Sequence, residues 1–251
     1  MGAIAAGQST AGVGNAARVR GTLGLVFGEL VRAGEHFLEH PRIRELYPEY
    51  LFTVHSTIRA SVPIMEMARE RALSMSSGDP VAADLADYLV EHIEEERGHD
   101  DWLLGDLEAI GVDRRAVLAR TPSPTIANAV GAQYYWVMNY HPVALLGWIA
   151  LLEGYPPLPA TLDQLRARTG YPREAFRTLA LHAELDVRHG DELFERLDRL
   201  PLTEEMSTVI GLNAMSSVHL LARAIDEFTG RSRTDLRAVA ERRLAEVQGA
   251  R

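Results

Sequence analysis

Cysteine is absent from all 251 residues. Disulfides, thiolate-held zinc, iron–sulfur clusters and every cysteine-nucleophile mechanism are therefore excluded together. Basic charge is scarce as well: 26 Lys and Arg stand against 35 Asp and Glu, a formal net charge of −9. Nucleic acid is not an expected partner, because phosphate binding needs a basic stripe. The opening MGAIAAGQSTAGVGNAA has neither a basic start nor an apolar run, so a cytoplasmic location is the expectation. The most apolar stretch, 129–152, is interrupted by Gln133, Asn139, His141 and Pro142 and has no Lys or Arg bracketing it. It reads as a buried central helix, and no membrane partner is expected.

Apolar residues make up 47% of the chain, enough for a sizeable core. Residues 1–20, rich in Gly, Ala and Ser, read as a flexible tail, and 21–251 as a single helical domain. Prolines leave long unbroken intervals, such as 81–121 and 173–200, and those intervals carry apolar residues at three- and four-residue steps. Helices are expected at 22–39, at 42–76 with breaks near Pro48 and Pro63, and at 81–110, 124–154, 172–199, 203–229 and 233–249. Strand-like alternation is scarce, which makes the fold class all-α.

Two short segments share a spacing. His92, Glu96 and His99 lie at relative positions 0, 4 and 7, and His182, Asp186 and His189 repeat those offsets. At 100° per residue each trio falls within roughly 60° on one helix face. A lone His on a helix is usually solvated, and the acidic run Glu91, Glu94, Glu95, Glu96 could be a wet face. Two matched copies point instead to metal, each stripe forming half of a site. Imidazole with carboxylate and no thiolate suits iron or manganese at least as well as zinc. Helical bundles build two-metal carboxylate sites from Glu-x-x-His units on two helices plus a lone Glu on each of two others. Glu96-Arg-Gly-His99 is one unit, and Asp186-Val-Arg-His189 is the second with Asp for Glu.

The lone carboxylates should come from flanking helices. Glu153 ends an apolar run, where an unpaired acid would be costly. Glu66 sits among Ile64, Met65 and Met67, with an exposed pair to Arg69 as the plain alternative. His55, Arg59 and Glu66 fall on one face, so Arg59 and His55 are the expected substrate-binding residues, Arg59 holding a carboxylate bidentately. An internal ion pair would explain the same spacing.

The ordered set of a first-helix Glu, EERGH, a lone Glu some 50 residues on, and HAELDVRH resembles the haem-oxygenase-like diiron oxidases, a family of iron-containing redox enzymes. The resemblance covers about residues 35–230 and implies a seven-helix haem-oxygenase-like bundle. It places Glu66, Glu96, His99, Glu153, His182, Asp186 and His189 on iron-ligand positions. His92, Glu95 and Glu96 compete for one of these roles, with Glu96 preferred. By resemblance the protein would hold two non-haem Fe ions and use O2 as co-substrate. The reaction would be N-oxygenation or oxidative C–C cleavage of a small amine- or carboxylate-bearing metabolite, with Glu153 or another carboxylate bridging the ions and with or without an external reductant. A non-catalytic metal or tetrapyrrole-binding helical protein is the alternative. A homodimer fits the base rate for soluble chains.

Overall fold

A computed structural model describes residues 14–230, a set of helices with short connections and no strand among the described residues. Eleven α-helices follow in order: α1 (Asn15–Glu39), α2 (Ile43–Ile58), α3 (Ser61–Met75), α4 (Pro80–Glu96), α5 (His99–Glu108), α6 (Arg114–Ala119), α7 (Pro124–Asn139), α8 (Leu145–Glu153), α9 (Pro159–Thr169), α10 (Arg177–Arg199) and α11 (Glu204–Thr229). Two 3-10 turns, Pro142–Ala144 and Arg173–Phe176, lead into α8 and α10.

The tail boundary expected at residue 20 falls inside α1. Asn15 donates to the carbonyls of Leu197 and Leu200, and Asp198 accepts from the Ala16 N–H, so the first turn of α1 is tied to the end of α10. Ala16 and Val19 are buried there. The helix expected at 233–249 lies outside the described residues.

Breaks divide the long helices the periodicity suggests. Pro48 does not interrupt α2: the carbonyl of Arg44, which loses its helical donor to the proline ring, accepts instead from the Tyr171 hydroxyl at 3.1 Å. The chain turns at Arg59–Ala60, and Pro63 falls in the first turn of α3, where no N–H is needed. The stretch 81–110 splits at Arg97–Gly98, where Gly98 takes φ +88°, a conformation only glycine adopts freely. This break sets the site, because it puts His92 and Glu96 on α4 but His99 at the start of α5. The stretch 124–154 is interrupted around Tyr140–His141.

Helix starts carry the side chains expected of them. Asp79 accepts from the N–H groups of Val81 and Ala82 at α4, Ser123 from Ile126 at α7, and Thr203 from Met206 at α11. Packing is close: α1 runs parallel to α11, with Thr22 beside Gly211, Glu29 beside His219 and Phe37 beside Phe228, α3 lies along α4, and α11 also covers α7 and α8. The buried central helix expected over 129–152 is found only in its second half: Leu145–Leu151 of α8 are all buried, whereas Tyr135, Met138 and Tyr140 before the break are exposed. One apolar cluster joins α1, α3, α4, α8 and α11, and a second joins α2, α5, α9 and the start of α10. The polar faces of α4, α5, α8 and α10 meet inside the bundle.

Candidate metal centre

The His182–Asp186–His189 ladder runs on α10 as the spacing predicts, whereas the first trio is not one helix face, since the break at Arg97–Gly98 leaves His92 and Glu96 on α4 and His99 on α5; the rungs of the two sets pair crosswise. His92 meets His189, with ring centroids 5.5 Å apart, and His99 meets His182 at 4.9 Å. The first rung of one ladder thus faces the last rung of the other. Two clusters result: His92, Glu153 and His189 in one, Glu96, His99 and His182 in the other, each with ligand atoms within 4.8 Å of one another. The expectation that each stripe serves one half of the site is corrected accordingly, since antiparallel packing shares each ladder between the two clusters.

Glu96 faces both clusters. Its Oε2 lies 3.1 Å from His99 Nδ1 and its Oε1 lies 3.9 Å from His189 Nδ1. His92 Nε2 lies 2.9 Å from Glu153 Oε1. His182 Nδ1–H donates to the Thr178 carbonyl at 2.9 Å, which turns the Nε2 lone pair inward toward its cluster. Aromatic faces hold the rings in place: Tyr88 stacks on His92 from one turn earlier, and Trp102 stacks on His99 at a centroid distance of 4.0 Å.

Among these carboxylates and imidazoles three buried atoms have no hydrogen-bond partner: Glu153 Oε2, Asp186 Oδ1 and His189 Nδ1. Orphans of this kind are costly in a packed interior. The protons are distributed accordingly. Burial, reinforced by the charges of Glu153 and Glu96, pushes the Asp186 carboxyl up to about 8. Burial alone would depress His92, but the charge and hydrogen bond of Glu153 outweigh it and raise it. Burial would raise Glu96, yet the His99 hydrogen bond and the charges of His99, His92 and His182 hold it below the usual carboxylate value. His182 is lowered by burial. Without cations the interior keeps itself near neutrality by retaining protons where positive charge is wanted.

The structure brings together Glu96, His99, Glu153, His182, Asp186 and His189, and it adds His92 as a full member. Glu66 stays outside. Its carboxylate is half exposed on α3 and pairs with Arg97, 3.4 Å away, because the turn at Arg59–Ala60 sets its helix face toward solvent. Glu95 stands at the rim, 3.4 Å from His189 Nε2 and bonded to Arg188. Arg59 is exposed and His55 is fully buried with neither ring nitrogen bonded. Neither lines the cavity beside the clusters, so the substrate clamp assigned to them is corrected.

That cavity encloses about 630 Å³ and reaches His92, Glu96, Glu153, His182 and Asp186. Sequence reasoning missed it, as it missed Gly190. A Cβ at Gly190 would lie 2.9 Å from the Glu153 carbonyl oxygen, so the glycine lets α10 close on the end of α8 and brings Glu153 to His189. The signal was present as a Gly directly after the ladder's last His.

Five carboxylate and imidazole side chains lining one cavity, four of them buried and His182 partly so, with orphaned ligand atoms and no thiolate, fit a pair of iron-type cations. A family model described as iron-containing redox enzyme matches residues 68–221. Among solved structures, the chain is similar to a domain of unknown function with a haem-oxygenase-like fold from Shewanella denitrificans OS217. The TM-score is 0.70 at 20% identity, over 87% of this chain and 90% of that one. It is also similar to a TenA homolog from Pseudomonas syringae pv. tomato DC3000, with a TM-score of 0.65 at 12% identity, over 84% and 92% of the two chains. No curated protein matches the sequence. The protein has the all-α haem-oxygenase-like fold and belongs to the iron-containing redox enzyme family.

Proposed function

We propose that this protein is an O2-activating non-haem diiron oxygenase or oxidase acting on a small metabolite held in the cavity beside the two clusters. The observation that carries the reading is the crosswise pairing of the ladders around Glu96, with Glu153, Asp186 and His189 each presenting an orphaned atom. His92, Glu153 and His189 would hold one ion, and Glu96, His99 and His182 the other. Asp186, electrostatically coupled to both Glu153 and Glu96, would serve as the seventh ligand. Glu96, with one oxygen toward each cluster, would help to hold both ions. A bound iron pair would supply the electrons that reduce O2.

The chain's own residues prepare that chemistry. Asp186 holds a proton at neutral pH in the metal-free protein and yields it when cations arrive, so loading is coupled to proton release. The Thr178 carbonyl fixes the tautomer of His182. Leu145, Trp148 and Ile149 wall the cavity with buried apolar surface and keep bulk water from the reacting end of the substrate. His92, Glu96 and Asp186 share that cavity, so a bound substrate meets the centre directly.

Anaerobic Fe(II) titration tests the assignment. Two ions per chain are expected for the wild type and one each for His99→Ala and His189→Ala; unchanged stoichiometry in both variants would sink it. Mixing the loaded protein with O2 against panels of amines, amino acids and fatty acids then separates N-oxygenation from C–C cleavage. Oxygen uptake indifferent to every substrate would favour a non-catalytic metal binder.

A further inference from the structure

The cavity's walls say more about its occupant than its metal end does. Away from the clusters the lining is aliphatic and aromatic, including Phe27, Leu30, Leu152, Leu179 and Leu221. Among the described residues no Lys or Arg lines it, and the one charged side chain outside the clusters is Glu35, on the exposed side of α1. The hydroxyls of Thr53 and Thr57 are already committed to the carbonyls of Glu49 and Thr53 within α2. Val31 and Leu158, both lining residues, are 42% and 67% exposed and mark the mouth. Phe27 and Tyr155 stack at 4.3 Å and join α1 to the loop before α9 beside it.

We propose that the cavity takes a molecule with one polar head and a hydrocarbon body, and that Glu35 at the mouth selects against an anionic tail. The head group's approach to the clusters rests on the diiron reading above; the preference for a hydrocarbon body does not. A zwitterionic amino acid or a dicarboxylate would bury a second charge with no cationic side chain to meet it, a cost that apolar contact does not offset. A hydrocarbon body gains from every methylene removed from water, about fourfold in affinity for each. Charge is then confined to the two ends, the clusters inside and Glu35 outside, while the buried, unpartnered Thr178 hydroxyl one turn before His182 adds a neutral polar contact at the cluster end.

Calorimetric titration of the metal-free protein with hexanol, octanol and decanol tests this without any iron chemistry. Affinity is expected to climb by about fourfold per methylene while the cavity fills. Leu152→Trp and Val54→Trp, both at half-buried lining positions, should fill the space and weaken decanol binding by at least about tenfold. Leu25→Trp, at an exposed position off the cavity, should leave it unchanged. Thermal melts establish that each variant is folded. Wild type should bind decanol more tightly than 10-hydroxydecanoate, and Glu35→Lys should narrow that gap. Affinity independent of chain length, or full decanol binding by both folded cavity-filling variants, would overturn the proposal. An unchanged gap in Glu35→Lys would overturn the role of Glu35. Because no metal is present, failure here leaves the iron stoichiometry untouched, and loss of iron binding leaves this result untouched.

Discussion

Asp186 is the residue on which the interior charge balance turns. In the metal-free chain burial and the charges of Glu153 and Glu96 push its carboxyl up to about 8, from an ordinary carboxylate value of 3.8. Between those two values the unfolded chain has released the proton and the folded chain still holds it. Stability from this group is therefore complete below the lower value and is lost as pH rises through the upper one. One retained proton corresponds to at most about 1.4 kcal/mol per pH unit. Asp186→Asn removes the effect, so the stability advantage of the variant over wild type should grow from pH 5 to pH 8 in urea melts of chelator-treated protein. A constant difference would mean that Asp186 is ionised in the fold. Glu66 supplies the contrast. Its exposed pair with Arg97 is worth only about 0–1 kcal/mol, and Glu66→Ala should bind iron as wild type does, whereas His92→Ala should lose an ion.

At the scale of elements, the centre depends on how α4 begins and how α10 meets α8. Asp79 caps α4 through Val81 and Ala82, and its Oδ2 lies 3.0 Å from His141 Nε2. Partial burial would raise its pKa, but the hydrogen bonds from Ala82, His141 and Val81 prevail and hold it below 3.8. That stability is present above the unfolded value and is lost as pH falls through the folded one. Asp79→Ala should cost about 1–2 kcal/mol near neutrality, with the gap to wild type closing in thermal melts taken toward pH 3. Gly190→Ala should push α10 off the Glu153 carbonyl at a cost of about 1–3 kcal/mol. In Fe(II) titrations it should weaken the His92–Glu153–His189 cluster first. The α10 ladder was legible in the sequence, because a 3.6-residue period turns the offsets 0, 4 and 7 into a face without any knowledge of partners; the first trio shares the spacing, but its helix breaks between Glu96 and His99. Their crosswise pairing was not: it depends on α4 and α10 running antiparallel and on the positive φ of Gly98, neither of which a ligand spacing records. The same break in periodicity explains Glu66. Its apolar neighbours suggested burial, and only the turn at Arg59–Ala60 decides which side of α3 it takes.

At the scale of the whole fold, seven carboxylate and imidazole side chains from α4, α5, α8 and α10 converge in the bundle, and no Lys or Arg among the described residues lines the adjoining cavity. The four helices are joined by apolar clusters on either side, yet their polar faces meet with partners missing at Glu153, Asp186 and His189. The metal-free protein therefore carries an electrostatic strain that helix packing must outweigh. A cation that binds the folded chain and not the unfolded one stabilises it by mass action, by about 2.7 kcal/mol at a concentration one hundred times its dissociation constant. Anaerobic Fe(II) or Mn(II) should accordingly raise the melting temperature in a concentration-dependent way, and chelator should reverse the rise. Because Asp186 must give up its proton to bind, the rise should be larger at pH 8 than at pH 6. The double variant His99→Ala/His189→Ala removes one imidazole from each cluster and should show little response at either pH. A melting temperature indifferent to both metals in the wild type would mean that the bundle tolerates its orphaned ligands unaided, and that the inward ladders serve packing alone.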